Sequence, residues 1–139
     1  MLVRSLLISA GLSLSLPLMG QSTDPFYETQ TLPVFESCAH IQGDQNEQQV
    51  CFNRFVMNHL INELKWPEGL KENGKVLIEL KFDVKGHLVE VNSLRSYDVI
   101  AQEEALRAMR TLPDPTHPGT VDGVAAPVTI VVPVMFTRN

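Results

Sequence analysis

Across residues 76–84 apolar and polar positions alternate. Val76, Ile78, Leu80, Phe82 and Val84 share one parity, and Leu77, Glu79, Lys81 and Asp83 share the other. A period of two is that of a half-buried β-strand. The run meets Asp83-Val84-Lys85-Gly86, where glycine permits the positive φ of a tight turn, and resumes as a second β-rich run over 88–94. In that second arm Leu88 and Val91 stand three apart, so both can be inside only with a bulge or with burial on two faces. A two-stranded hairpin is marginal alone and needs a third strand or a helix on its apolar face.

The chain supplies both. Asp44 and Glu47 have capping-box spacing, and helix-compatible residues run from there to Lys65. Val56, Leu60 and Leu64 form a row on this helix, and Val50, Met57 and Ile61 are expected to widen it into the core-facing stripe. Cys51 and Phe55 lie on a different side. Trp66-Pro67 ends the helix, because proline disfavours a helical residue before it. After the hairpin, Asp98 is placed to cap a short helix whose narrow apolar side is Ala101, Ala105, Met109 and Leu112. Glu103 and Glu104 near its start and Arg107 and Arg110 near its end complement the helix dipole. Leu112-Pro113 stops it, and Pro118-Gly119 with Asp122-Gly123 marks a long turn region.

The last run, residues 125–136, is valine-rich and contains Pro127 and Pro133. Proline confines a strand to an edge. Both prolines have the same parity, so both missing N–H groups fall on one flank, and the other flank is free to pair with the hairpin. The notched flank still offers the backbone of Thr129 and Val131 to an incoming strand. The expected architecture is therefore α+β in the order α-β-β-α-β: a three-stranded antiparallel sheet, its central strand the one starting at Val76, with two helices on one face.

The N-terminal residues change the picture. Arg4 precedes a mostly apolar run over 5–19, with small or polar residues at Gly20-Gln21-Ser22. This is the layout of a secretory signal, with cleavage expected near Gly20, or else of an uncleaved anchor. The expected organisation is a signal or anchor at 1–20, an extended lead-in at 21–37 and a folded domain at 38–139. In an exported chain, the two cysteines Cys38 and Cys51 are expected to form a disulfide, worth about 3 kcal/mol in the chain-entropy model. It would draw the lead-in, with Phe35, across Phe55. A metal site built from Cys38, His40, Cys51 and His59 fits no usual ligand spacing, and no C-x-x-C motif suggests redox chemistry.

The formal net charge is -5 and no basic run exists, which argues against nucleic acid as a partner. His40, His59, His87 and His117 are scattered and lack the neighbours of a nucleophile triad. Asp83 and Glu90 near the hairpin turn read as charges on a solvated face, Trp66 as packing at the helix end, and Glu104 with Arg107 as an intrahelical pair. No catalytic residue, cofactor or metal is expected.

Taken in order, several short motifs resemble the C-terminal domain family of TonB. They are Trp66-Pro67, Gly74-Lys75-Val76, Phe82-Asp83-Val84-Lys85-Gly86, Arg95-Ser96, Glu104-Ala105-Leu106-Arg107, Leu112-Pro113, Gly123 and Pro133-Val134-Met135-Phe136. The similarity runs from about Pro33 to Phe136. It implies a periplasmic adaptor of a Gram-negative bacterium, binding outer-membrane transporters whose short peptide segment adds to the sheet beside the last strand. The partner-binding residues would be Val128, Thr129, Ile130, Val131 and Val132, with Thr129 and Val131 making the strand contacts. Fully extended, residues 21–37 reach only about 60 Å, so a free module is favoured. The alternatives are an inner-membrane-anchored energy transducer and a domain that dimerises through its last strand.

Overall fold

The computed structural model describes residues 29–41 and 45–138. In chain order they form β1 (Gln30–Thr31), a 3-10 turn (Glu36–Cys38), α1 (Gln45–Glu63), β2 (Gly74–Phe82), β3 (Leu88–Arg95), α2 (Val99–Arg110), β4 (Thr120–Val121), β5 (Val124–Ala125) and β6 (Val128–Phe136). The expectations for residues 1–28 and for a cap at Asp44 lie outside the described residues. No helix among the described residues is long and apolar enough to cross a membrane.

Over 76–82 the alternation does what its period dictates, whereas Val84 falls in the turn beyond the strand and is exposed. Val76, Ile78, Leu80 and Phe82 are buried, while Leu77, Glu79 and Lys81 occupy the other face. The hairpin closes as expected: Gly86 takes φ +91°, and Asp83 Oδ1 accepts hydrogen bonds from the backbone N–H of Lys85 and of His87. The Leu88–Val91 conflict is resolved by a bulge. Lys81 faces Glu90 but Phe82 faces Leu88, so Val89 is looped out, and Leu88 and Val91 both pack on the core. A second register shift loops out Leu94.

The main sheet is antiparallel in the order β3-β2-β6, with the Val76 strand central. Both helices share one core with its buried face. The Asp98 carboxylate accepts from the N–H groups of Ile100 and Ala101, starting α2 as its sequence dictates. Ala101, Ala105, Ala108 and Met109 are fully buried, and the three alanines let α2 lie close on β2 and β3.

α1 is turned differently from the expected stripe. Phe52, Val56 and Leu60 are buried and Leu64 packs beside them, whereas Val50, Met57 and Ile61 are 53%, 43% and 73% exposed. The aromatic side of the helix wins because it has its own cover. Cys38 and Cys51 form the expected disulfide, Cα–Cα 6.0 Å, and it draws the lead-in across this side. Phe35 stacks on Phe55 with centroids 4.0 Å apart, and lies 5.2 Å from Phe52, which in turn meets Phe82 edge-on.

A second small sheet, β1-β4-β5, was not foreseen from the sequence. Asp122 (φ 52°) and Gly123 (φ 84°) form a two-residue turn between β4 and β5, and β4 pairs with the lead-in strand β1. Val34 bridges to His117 just beyond it. The lead-in from Thr29 onward is thus sewn into the fold rather than trailing from it.

Candidate docking edge

Strand order puts β6 at an edge of the main sheet with β2 on its inner side. Nine consecutive pairs, from Gly74 facing Phe136 to Phe82 facing Val128, run without a register shift. Pro133 faces Leu77. Antiparallel pairs alternate between those that exchange N–H···O=C bonds and those that do not, and a proline cannot complete the first kind. The 133/77 pair is therefore a non-bonded one, and so are 131/79 and 129/81 by the same alternation. The backbone groups of Thr129, Val131 and Met135, and the carbonyl of Pro133, then point away from β2. Among the described residues nothing pairs with them.

The expected site residues divide by parity. Val128 and Val132 are buried, Ile130 is partly so, and all three direct their backbone to β2. Thr129 and Val131 alone of the five present both backbone and side chain outward. Met135 has the same disposition, 51% exposed against 48% for Val131, and belongs to the edge although the sequence reading left it out. Its parity with Thr129 was the signal that could have found it.

The opposite edge of the sheet offers no comparable rail. β3 is interrupted at Val89 and again at Leu94, and such bulges spoil a strand as a template for pairing.

Both ends of β6 are fixed by side chains. At its start, Gly119 lets two segments approach: a Cβ there would stand 2.5 Å from Val128 Cγ2 and 2.6 Å from the Thr31 carbonyl oxygen. At its end, the Trp66 ring meets Phe136 edge-on, 6.5 Å between centroids, and donates Nε1–H to the Leu70 carbonyl. The Arg138 guanidinium lies 4.2 Å above the same ring, and Asn73 brackets the Arg138 backbone through both its amide atoms. Trp66 is thus a packing residue that also holds the strand's exit. A template fixed at both ends loses little conformational entropy when another strand joins it.

His59, Glu104, Arg107, Asp83 and Glu90 make contacts within the fold. His59 Nε2 hydrogen-bonds the Ala108 carbonyl and the Thr111 hydroxyl, joining α1 to α2. Glu104 accepts two bonds from Arg107 and one from the Lys65 N–H, and Arg107 also donates to the Glu63 carbonyl at the end of α1. The Arg107 hydrogen bonds hold the Glu104 carboxyl below its ordinary range, against the opposing effect of burial. Asp83 is also held low, first by the His87 N–H. Glu90 lies on the open face with Asn92 and Lys81. Among the described residues no three His, Cys, Asp or Glu side chains are grouped to hold a metal ion. A cleft of about 700 Å³ between the lead-in and the start of α1 has a mixed lining, with Leu32, Val34 and Ile41 beside Gln30, Gln48 and Thr120.

Compared with known proteins, the chain matches no family model, no curated protein and no solved structure.

Proposed function

We infer that this chain is a non-enzymatic binding module that takes an extended segment of another protein as an added strand beside β6. The observation that carries this is the outward backbone of Thr129 and Val131 on a nine-residue, bulge-free edge. An antiparallel partner residue opposite either of them exchanges two hydrogen bonds, while the two prolines limit indiscriminate pairing of the edge. The motif resemblance to the TonB C-terminal domain family supplies the setting: an exported protein of the Gram-negative periplasm, whose partner strand comes from an outer-membrane transporter.

The test is a scan of single cysteines from Val128 to Val132 in the native envelope, with identification of whatever each traps by disulfide exchange. The expected result is capture of a foreign outer-membrane polypeptide at Thr129 and Val131, with little at Val128 and Val132. No capture at any position, or equal capture at all five, would overturn the reading.

A further inference from the structure

The cleft between the lead-in and α1 has two chemically different walls. Along the lead-in, Pro33 and Phe35 are buried in the core, and Leu32 and Val34, of the other parity, line the cleft. Across it, Gln45, Gln48 and Gln49 stand at spacings of three and four, on one side of α1. One wall is thus apolar and the other is a ladder of side-chain amides. Gln48 donates Nε2–H to the Cys38 and Ile41 carbonyls, and Gln45 donates to the Gln30 carbonyl. Both amide nitrogens are therefore tied to the fold, and both Oε1 atoms are left to accept. Gln49 makes no side-chain hydrogen bond among the described residues. The Cys38–Cys51 disulfide clamps the two walls together one turn beyond Gln48, and the Val34–His117 bridge fixes the lead-in from its other side. A site built this way is formed before any ligand arrives.

The lining decides what fits. No Lys, Arg, Asp or Glu side chain stands among the described residues that line the cleft, so a charged ligand would lose hydration there without gaining a counter-charge. A purely apolar ligand would leave the amides unpaired. No aromatic ring lines the cleft to carry the flat face of a sugar. A peptide group, in contrast, has one donor and one acceptor, as a side-chain amide has, and an extended segment alternates such groups with side chains. At about 700 Å³ the cleft falls within the size range of sites for small ligands and short peptides.

We propose that this cleft is a second binding site, for a short uncharged segment of extended polypeptide. The Oε1 atoms of Gln45 and Gln48 accept from backbone N–H groups of the segment, Gln49 donates to one of its carbonyls, and an apolar side chain rests on Leu32 and Val34. None of the lining residues belongs to β6. The site is therefore separate from the docking edge, and neither reading depends on the other.

Nuclear magnetic resonance of the isotope-labelled full chain, which reads side-chain amide signals directly, tests this with the blocked peptide N-acetyl-Ala-Leu-Ala-amide. The signals of the Gln45, Gln48 and Gln49 side chains and of the Leu32 and Val34 backbone are expected to shift and to saturate at about 1 mM or below. The same peptide with Glu or Lys in the middle is expected to bind roughly tenfold more weakly. Gln49→Ala is expected to weaken the neutral peptide about fivefold while leaving the fold, checked by circular dichroism, intact. Asn53→Ala, on α1 outside the cleft, is expected to change nothing. Three results would overturn the proposal: no saturable shift up to about 10 mM, equal binding of the charged peptides, or binding indifferent to Gln49→Ala. Tighter binding of a neutral N-acetylglucosamine trisaccharide would overturn it in favour of a glycan site. Shifts confined to Thr129 and Val131 would report docking at the β6 edge and would equally overturn this site.

Discussion

Pro133 faces Leu77 across the β2–β6 ladder. This one pairing fixes which backbone groups of the last strand look inward and which look outward. It makes the even positions of β6 structural and the odd positions available.

Proline substitution separates the two sets. Val131→Pro removes an outward N–H and is expected to cost about 1 kcal/mol or less, since the strand keeps every bond to β2. Val132→Pro removes a bond to β2 from the middle of the ladder and is expected to cost about 3 kcal/mol or more. Urea unfolding of both variants measures the difference, and equal losses would contradict the flank assignment.

The disulfide and Phe35 act together on the lead-in. Replacing Cys38 and Cys51 by serine is expected to lower stability by about 2–3 kcal/mol. It is also expected to make residues 29–38 markedly more sensitive to protease. Phe35→Ala, which opens a gap between Phe52 and Phe55, is expected to cost about 3–4 kcal/mol with the disulfide intact. Thermal melts and limited proteolysis of the two variants check both outcomes.

Glu104 gives the acid limb of stability a defined source. Its side chain is 10% exposed, and its hydrogen bonds from Arg107 and the Lys65 N–H hold its folded pKa below the ordinary 4.5. A carboxyl lowered on folding stabilises at pH values above its unfolded pKa, and that stability is lost as pH falls through the folded value. Glu104→Gln is expected to cost about 1–2 kcal/mol at pH 7. It should also flatten the decline below pH 4.5, leaving the contribution of Asp83, whose carboxyl the His87 N–H holds low. Stability measured against pH in the two proteins tests the sign.

Two glycines differ in what they do. Gly119→Ala drives a methyl group against the Thr31 carbonyl and Val128, and is expected to cost about 2 kcal/mol or more by displacing backbone. Gly123→Ala meets open space and suffers only its φ of +84°, at about 1 kcal/mol. Comparing the melting temperatures of the two variants distinguishes close approach from backbone conformation.

Features set by neighbouring residues were legible in the sequence. The period of two gave the buried face of β2, Asp98 gave the start of α2, and the three-residue gap from Leu88 to Val91 left a bulge or two-sided burial, of which the bulge at Val89 is found. The orientation of α1 was not legible from its own pattern. Val50, Met57 and Ile61 are as apolar as Phe52 and Val56, and the choice between the sides is made by Phe35, which arrives from outside the helix. The β1-β4-β5 sheet escaped for a related reason. Each strand has two residues, too short for a period, and only the Asp122-Gly123 turn announced it. At the edge, proline parity selected Thr129 and Val131, but treating 128–132 as one block blurred the alternation and hid Met135.

Amide hydrogen exchange along β6 tests the central claim most directly. The expected pattern alternates: Thr129 and Val131 exchange fast, Ile130 and Val132 slowly, and the first two become protected once a partner strand is bound. Thr129 and Val131 as slow as their neighbours in the free protein would contradict the account, because the outward flank would already be filled.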